Sequence, residues 1–319
     1  MIMNEEIVAG IDIGGTNSVY GLVDKQGRII AEGTIDTDKS PRPDGFIKTL
    51  SSEIEKLLAA YKGYTLKGVG IGAPNGNYHK GTIELAPNLA WKGIVPFADI
   101  MKKELKKPVV LTNDANAAAV GEMIFGGAQG IKDFIILTLG TGLGSGFVVN
   151  GEVVYGHTGF AGEYGHVIMI PGGRECGCGR RGCLETYASA TGLTRTAKIL
   201  MEERKDDSML RSMNPAVIDS KTVAEAAANG DKLSLDAFDY TAEILALAIV
   251  NAVVVTSPKA IFLFGGLAKA GDLLFIPLRK YINEFIQPVF RNTFEVLPSA
   301  IPETNAAVLG AAALAWKEL

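Results

Sequence analysis

The N-terminal segment alternates short apolar runs with clusters of turn residues. Its sequence, IVAGIDIGGTNSVYGLVDKQGRIIAEGTID at 7–36, predicts a strand, a glycine turn, a second strand, a DKQG turn and a third strand. Consecutive strands joined by short turns are typical of an antiparallel meander. We therefore expect the chain to begin with a small antiparallel sheet.

The pattern then changes to helical spacing and back. Apolar residues recur every three or four positions over 44–62, which predicts an amphipathic helix. The run LKGVGIGAP at 66–74 predicts a buried strand, and 97–106 a short helix that ends before a proline. The segment VVLTNDANAAAVGEMIFG at 109–126 predicts a strand that leads directly into an alanine-rich helix.

After residue 132 the N-terminal pattern starts again. DFIILTLGTGLGSGFVVNGEVVYG at 133–156 predicts a strand, a glycine turn, a strand, an Asn-Gly hairpin turn and a strand. Aligning the two glycine turns pairs Asp12 with Thr138, Gly14 with Gly140, and Gly15 with Thr141. Further elements are predicted as a helix at 233–256, a strand at 260–264, a helix near 271–285, a strand near 294–300 and a final helix from about 305.

This internal repeat predicts an α/β protein made of two similar domains that face each other across a cleft. We place the small N-terminal domain at 1–115 plus 303–319 and the larger domain at 116–302. No Ser/Pro-rich linker marks the boundary near 115, so we expect a hinge there.

Composition and charge exclude several classes of protein. The net charge of −4 opposes binding to nucleic acid. The N-terminus lacks the features of a signal peptide, and the most apolar run, ILALAIVNAVVV at 244–255, is too short to cross a bilayer. We expect a cytoplasmic protein with no membrane partner.

The two glycine turns have two interpretations. Each alone is compatible with an ordinary hairpin, because glycine is a common turn residue. Their repetition favours backbone concavities that bind phosphate. Asp12 ends an apolar strand, where a charge needs a partner, so it is the candidate residue for holding Mg²⁺ beside a nucleotide. The chain has neither a P-loop motif nor a dinucleotide-binding glycine motif.

The sequence TNDANAAA places Asn113 and Asp114 between a strand and a helix. Asparagine and aspartate at such junctions commonly cap helices. The functional alternative is that Asp114 acts as a general base and accepts a proton from a hydroxyl that attacks a phosphate. Asn113 would then bind neighbouring hydroxyls of the same substrate.

All three cysteines lie in GRECGCGRRGC at 173–183. Structural zinc takes four ligands, so Cys176, Cys178 and Cys183 need a fourth. His166 stands ten residues before the first cysteine, and His157 is within reach as well. The alternatives are a fortuitous cluster or a redox pair with a spare thiol. We predict a closed zinc site with His166 that fixes a loop.

These segments together resemble the ROK family (repressor, open reading frame, kinase), and the resemblance covers nearly the whole chain. LGTGLGSGFVVNGEVVYGHTGFAGEYGHVIM followed by CGCGRRGCLETYAS is similar to the family signature and its zinc motif. DIGGTN, LTNDANAAAVGE and FLFGGLAKAG lie where the family has its phosphate, catalytic and adenosine segments. The resemblance implies the actin-like, hexokinase-like (ribonuclease H-like) fold and an ATP- and Mg²⁺-dependent kinase that phosphorylates the 6-hydroxyl of a hexose.

The resemblance also implies roles for particular residues. It implies that Asp114 is the catalytic base and that His166 binds both zinc and sugar, one through each ring nitrogen. It implies a homodimer or homotetramer. The implied sugar ligands are Asn88, Asn113, Asp114, Glu163, His166 and Glu185, and the implied nucleotide-binding positions are Asp12, Gly14, Gly15, Thr16, Asn17, Gly140, Thr141, Gly142, Gly265 and Gly266.

The segment GAPNGNYHKGTIE departs from the Gly-Pro-Gly loop usual in the family, and Ser145 replaces a common glycine. The first difference leaves the sugar open: glucose is expected, with N-acetylglucosamine, N-acetylmannosamine, mannose and fructose as alternatives. Repressors of the same family sense sugars and carry an N-terminal helix-turn-helix. Here the first predicted strand begins near Ile7, so we expect an enzyme.

Overall fold

The computed structural model of the protein describes residues 5–301 and 306–319. Its strands are β1 (Glu5–Ile13), β2 (Asn17–Val23), β3 (Ile29–Asp36), β4 (Tyr64–Gly72), β5 (Gly76–Asn77), β6 (Thr82–Glu84), β7 (Ile94–Val95), β8 (Val109–Thr112), β9 (Phe134–Leu139), β10 (Leu143–Val149), β11 (Glu152–Val153), β12 (Ala260–Phe264) and β13 (Glu295–Pro298). Its helices are α1 (Pro43–Ala60), α2 (Phe97–Leu105), α3 (Asp114–Phe125), α4 (Glu185–Ala188), α5 (Ala190–Glu203), α6 (Ser220–Ala228), α7 (Lys232–Thr256), α8 (Asp272–Phe285) and α9 (Ala306–Glu318).

The first sheet contains the predicted N-terminal meander. Its strand order is β3-β2-β1-β4-β8. Strands β1, β2 and β3 pair antiparallel, whereas β4 and β8 continue the sheet parallel to β1. Consecutive residues of β1 and β4 are buried, such as Ile7, Val8 and Ala9, which indicates that both faces of this sheet are covered.

The second sheet repeats that arrangement. Its strand order is β11-β10-β9-β12-β13, and β12 runs parallel to both β9 and β13. Each sheet therefore places its first three strands and its two crossover strands in the same relative order. This confirms the internal duplication and the actin-like, hexokinase-like α/β fold that the repeated pattern predicts.

A third, small sheet was not predicted from the sequence. Strands β5, β6 and β7 pair antiparallel in that order. Strands β5 and β6 lie within GAPNGNYHKGTIE (72–84), the segment that departs from the family loop, and β7 follows it. Strands of two or three residues give no periodic signal, because a period of two needs several repeats to be visible.

The predicted helices are confirmed as α1, α2, α3, α7 and α8, and α9 is confirmed from its first described residue, Ala306. Helices α4, α5 and α6 were not predicted. Part of the charged stretch near 201–220 continues α5, and the rest contains two short 3₁₀ turns. Of the described helices, α7 alone is long and apolar enough to cross a membrane, but most of its apolar stretch is buried inside the protein.

Helix α9 shows why the chain is rich in glycine and alanine. A Cβ atom at Gly10 would collide with the backbone oxygen of Val308, and one at Gly70 with that of Ala311. These two glycines therefore let α9 lie directly against β1 and β4. The result is a tightly packed layer of helix on sheet in which most residues of α9 are buried.

The chain divides into two compact units. The first contains Met1–Lys132, Gly146–Gly162 and Ser299–Leu319, and the second contains Asp133–Ser145 and Glu163–Pro298. The predicted boundary near residue 115 differs from this division. Helix α3 belongs to the first unit because it packs on α9, where Gly121 and Gly310 allow close approach.

Candidate active site and metal centre

Two carboxylates lie near each other in the first unit, on either side of the end of β4. Asp12 is the penultimate residue of β1, and Asp114 is the first residue of α3, which Asn113 alone separates from β8. The end of β4 separates them: a Cβ atom built on Gly72 would lie 3.6 Å from Asp114 Cα and 3.9 Å from Asp12 Oδ1. Since β1, β4 and β8 are parallel, both acids lie at the carboxyl edge of the sheet, where α/β proteins commonly bind ligands.

Both acids have a raised pKa. Burial, with a further contribution from the charge of Asp114, raises the pKa of Asp12 to about 6. Burial also raises the pKa of Asp114, and hydrogen bonds from backbone N–H groups partly oppose that shift. Asp114 is nevertheless exposed at the surface of the unit. Many protein atoms therefore lie near this carboxylate while solvent still reaches the residue. A carboxylate with a pKa closer to neutral is a better proton acceptor at neutral pH.

The junction between β8 and α3 orients both of its polar residues. The Asn113 side-chain oxygen accepts a hydrogen bond from Asn116 N at 2.7 Å, so Asn113 is the N-cap of α3. The capping interpretation therefore holds for Asn113, and its amide N–H groups are not used by the cap. The N–H of Ala115 donates to Asp114 Oδ1 at 2.8 Å, which fixes the carboxylate at the helix N-terminus.

The first glycine turn is closed by its own backbone. Gly14 N donates to Asn17 O at 3.1 Å, and Thr16 O accepts from Thr37 N at 2.7 Å. A Cβ atom on Gly15 would lie 2.7 Å from Asn88 O. The absence of a side chain at Gly15 thus lets the segment that carries Asn88 approach the turn. The predicted phosphate turn and a predicted sugar ligand are neighbours within this unit.

The second glycine turn belongs to the second unit. Gly140 N donates to Gly142 O at 3.1 Å, and Thr138 Oγ1 accepts from Gly144 N at 3.1 Å. Two neighbouring segments hold the turn in place. The N–H of Ala190 donates to Gly140 O at 2.9 Å, the Thr191 hydroxyl donates to Thr141 O at 2.7 Å, and Gly265, at φ +99°, lies against the backbone of Leu139.

The cysteine cluster has the predicted members. The ligand atoms of His166, Cys176, Cys178 and Cys183 all lie within 4.8 Å of one another. His166 Nδ1 is 3.6 Å from Cys176 Sγ, and the Sγ atoms of Cys178 and Cys183 are 3.7 Å apart. His157 is not in the cluster, so the structure groups His166, the predicted fourth member, with the three thiols. Three thiols and one imidazole match a closed zinc site in both number and type of donor.

The charged residues of the cysteine loop favour a thiolate. Burial opposes ionisation of Cys178, but hydrogen bonds from Arg180 and the neighbouring thiols lower its pKa to about 6. Arg180 also donates to His166 O at 2.8 Å and so ties the two sides of the loop together. Burial raises the pKa of Cys176 to about 12, and a bound cation would reverse that preference.

Glu185 links this cluster to the second glycine turn. Its Oε1 atom lies 3.3 Å from Cys176 Sγ, from which it accepts a hydrogen bond, and 4.0 Å from His166 Nδ1. Its Oε2 atom accepts a hydrogen bond from Leu143 N at 3.2 Å. The sequence places Glu185 two residues after the last cysteine, and no pattern in it signals this bridging position.

The segment before the cluster is fixed against β10. Glu163 begins the 3₁₀ turn Tyr164–His166, and its backbone oxygen accepts from His166 N at 3.1 Å. Tyr164 N donates to Ser145 Oγ at 3.1 Å, so the serine that replaces a common glycine holds this turn. The structure therefore places Glu163, His166 and Glu185 in one region of the second unit.

A pocket of about 610 Å³ lies beside Gly266. Its lining includes the apolar side chains of Phe238 in α7, Leu267 after β12 and Leu273 in α8, together with charged residues of α6. Residues of α6, a helix that was not predicted, form one wall. Its size is that of a typical small-molecule site.

The chain matches the ROK family over residues 8–318. The chain belongs to the ROK family. It is 35% identical over 307 residues to a glucokinase of Thermotoga maritima, with 96% of each chain covered. A ROK family glucokinase from Streptomyces griseus, solved in complex with glucose and AMPPNP, aligns with a TM-score of 0.80 at 34% identity over 98% of this chain and 99% of that chain. A xylose repressor of Caldicellulosiruptor bescii is 31% identical over 98% of this chain and 78% of the repressor.

Proposed function

We propose that the protein is an ATP-dependent hexose kinase that converts glucose to glucose 6-phosphate. The observation that carries this proposal is the pair of carboxylates, Asp12 and Asp114, beside a glycine turn at the carboxyl edge of a parallel sheet. Similarity to glucokinases over almost the whole chain supports the choice of reaction and sugar.

In the proposed reaction Asp114 is the general base. Its carboxylate takes the proton of the sugar 6-hydroxyl as that oxygen forms a bond to the γ-phosphorus of ATP. The bond from that phosphorus to the bridging oxygen breaks, and ADP leaves with the electron pair. Positioning and charge neutralisation supply most of the acceleration in phosphoryl transfer. Mg²⁺ held near Asp12 would supply part of that neutralisation.

The sugar ligands are assigned by position. Asn88 and Asn113 belong to the first unit, and Glu163, His166 and Glu185 to the second. The amide N–H groups of Asn113 suit a donor to sugar hydroxyls, because its oxygen is used in the helix cap. Carboxylates accept hydrogen bonds from the same hydroxyls.

The nucleotide is assigned to the two glycine turns and the apolar pocket. The phosphates are assigned to Gly14, Gly15, Thr16 and Asn17 in one turn and to Gly140, Thr141 and Gly142 in the other. The N–H groups of Gly14 and Gly140 close the turns, so the N–H groups of Gly15, Thr141 and Gly142 are the candidate donors to phosphate. The pocket beside Gly266 would take the adenine ring against Leu267 and Phe238. Gly265, at φ +99°, directly precedes Gly266 of the pocket lining.

We assign the cysteine cluster to structural zinc. With Nδ1 facing Cys176, His166 keeps Nε2 available for a sugar hydroxyl. The metal would thereby fix a substrate ligand, and through Glu185 the second glycine turn. The cytoplasm is the expected location, since its reducing conditions keep clustered thiols available to a metal. A homodimer or homotetramer is expected, and light scattering during size-exclusion chromatography measures it.

A coupled assay of ATP consumption over a panel of sugars tests the proposed function. Glucose, mannose, fructose, N-acetylglucosamine and N-acetylmannosamine are compared at equal concentration. We expect the highest kcat/KM for glucose. Turnover on another of these sugars alone would correct the substrate, and sugar binding with no ATP consumption would replace the kinase by a sugar-sensing protein.

A further inference from the structure

A second cavity of the second unit lies beside the cysteine loop. It measures about 620 Å³, which is within the range of small-molecule sites. Residues 170–174 form one wall, α5 a second wall, and residues Asp236 and Tyr240 of α7 a third. The proposed kinase reaction assigns no role to it.

Two arginines in this cavity have no carboxylate partner among residues 5–301 and 306–319. Arg174 donates to the backbone oxygens of Thr186 at 2.9 Å and Gly192 at 3.3 Å, and its Cζ atom lies 4.5 Å from the centre of the Tyr187 ring. Arg195 donates to Glu175 O at 3.0 Å. A guanidinium group carries five N–H donors, so both side chains retain several for a ligand.

These arginines suit a phosphate group. Arg174 is half-buried, and a charge removed from water is stable only when it is paired or well hydrogen-bonded. Backbone carbonyls supply hydrogen bonds to Arg174 but no net negative charge. A phosphate supplies both, because guanidinium groups bind its oxygens in a bidentate geometry.

The remaining lining of the cavity suits hydroxyl groups. Glu203 and Asp236 both line it, and Asp236 Oδ2 accepts a hydrogen bond from Arg204 at 2.7 Å, so its charge is balanced. The Tyr240 ring lies 5.8 Å from Arg174 Cζ, and its hydroxyl has no hydrogen-bond partner in the described part of the chain. Carboxylates and a phenol are the groups that bind sugar hydroxyls.

We propose that this cavity binds a small phosphate ester that carries hydroxyl groups, with its phosphate on Arg174 and Arg195 and its hydroxyls on Asp236, Glu203 and Tyr240. A hexose 6-phosphate belongs to this class. The choice of that compound rests on the proposed function, of which it is the product, whereas the site itself does not.

Occupation of this cavity would be linked to the sugar ligands. Arg174 donates to the backbone oxygen of Thr186, the residue after Glu185, and stands two residues before Cys176. A phosphate that competes for this guanidinium weakens its hold on α4 and therefore on Glu185. We expect the bound ester to raise the KM for the sugar and to leave kcat unchanged.

Calorimetry on the zinc-containing protein tests the site directly. The protein is first saturated with glucose and a non-hydrolysable ATP analogue, and then titrated with glucose 6-phosphate or with inorganic phosphate. We expect one binding event per chain for glucose 6-phosphate and weaker binding of inorganic phosphate. Arg195→Gln should reduce the affinity for glucose 6-phosphate by about tenfold or more, since it removes a charged hydrogen bond.

Lys198→Gln is the matched control, because it removes a positive charge from the same helix outside the cavity. It should leave the affinity unchanged. Tyr240→Phe should weaken glucose 6-phosphate more than inorganic phosphate, and zinc content and unfolding curves check that each variant is folded.

Two results would overturn the assignment of the cavity: no binding at millimolar glucose 6-phosphate, or an affinity that Arg195→Gln does not change. Equal affinity for inorganic phosphate would overturn the hydroxyl-binding wall. Heat is measured without turnover, so a protein that binds the ester and phosphorylates no sugar would refute the proposed function and support this site.

Discussion

The two glycine turns of the molecule lie at equivalent positions in two similar sheets, but different functional groups precede them. Each follows the first strand of a five-stranded sheet, and the two sheets have the same strand order. At the aligned position the first sheet carries Asp12, whose pKa is raised to about 6, and the second carries Thr138. The Thr138 hydroxyl accepts a hydrogen bond from Gly144 N and so supports its own turn.

The residues around the two turns differ as well. In the first unit a second carboxylate with a raised pKa, that of Asp114, lies at the same edge of the sheet as Asp12. The second turn is instead held by Glu185, which contacts the cysteine cluster. In the proposed function, one copy of the duplicated sheet would supply charge and proton transfer, and the other would position ligands around the cysteine cluster.

Substitution of each of the two aligned residues, Asp12 and Thr138, gives the largest expected difference in kcat between the two turns. Asp12→Asn should lower kcat by about a hundredfold, the upper range for loss of a group that orients a catalytic metal. Thr138→Val should lower kcat by no more than about fivefold, since it removes one neutral hydrogen bond. Steady-state kinetics with glucose and Mg²⁺-ATP measures both. Similar losses in the two variants would contradict the assignment of Mg²⁺ to Asp12.

The same Asp12→Asn variant should be more stable than the parent. The folded-state pKa of about 6 lies above the ordinary value of 3.8, so the folded protein binds this proton more tightly than the unfolded chain. The ionised group therefore destabilises the fold, and its contribution worsens as pH rises from 3.8 through 6. Without Mg²⁺ or nucleotide, the variant should gain about 2 to 3 kcal/mol near neutral pH.

Urea unfolding checks this gain, which should fall to about half near pH 5, where the folded-state carboxyl is already mostly protonated. Asp44→Asn, an exposed acid in the first turn of α1, is the control and should change little. A gain independent of pH would mean that Asp12 has an ordinary pKa.

Adding a methyl group to each turn tests how tightly the atoms within that turn are packed. A Cβ atom on Gly14 would collide with the backbone oxygen of Asn17, whereas one on Gly140 would meet no atom within 4 Å. Gly14→Ala should lower the free energy of unfolding by about 2 kcal/mol through backbone strain. Gly140→Ala should change it by less than about 0.5 kcal/mol. Equal losses would show that both turns are equally constrained.

Removal of the metal should act on the second unit alone. Chelation should raise the KM for glucose about tenfold, since the proposed zinc would hold His166 and, through the cluster, Glu185. The affinity of Asp12 for Mg²⁺, followed by the Mg²⁺ dependence of the rate, should be unchanged. Restoration of the KM by added zinc is the control, and an unchanged KM in zinc-free protein would separate the cluster from the sugar site.

The sequence predicts the duplicated architecture because the first two strands of each meander are six to nine residues long and a glycine turn joins them. It does not predict the sheet of β5, β6 and β7, whose strands are too short to show a period. Nor does it show how residues 201–220 are held. Arg204 pairs there with Asp206 and with the distant Asp236, a contact that only the tertiary structure creates.

The candidate site could likewise be predicted only in part from the sequence. The spacing leaves both His166 and His157 within reach of the three cysteines, and the structure places His166 with them. The bridging contacts of Glu185 and the pairing of Asp12 with Asp114 depend on residues far apart in sequence. No local pattern encodes such contacts, because they arise from strand order in the sheet and from packing of the loops.

The proton acceptor is the central claim, and the kcat of Asp114→Asn tests it most directly. Asparagine keeps the shape of the side chain and removes its capacity to accept a proton. The account predicts that kcat falls by about 10²–10⁴-fold while calorimetry still detects glucose binding of similar affinity. A kcat within about tenfold of the parent, in a folded variant that binds zinc, would show that another group accepts the proton.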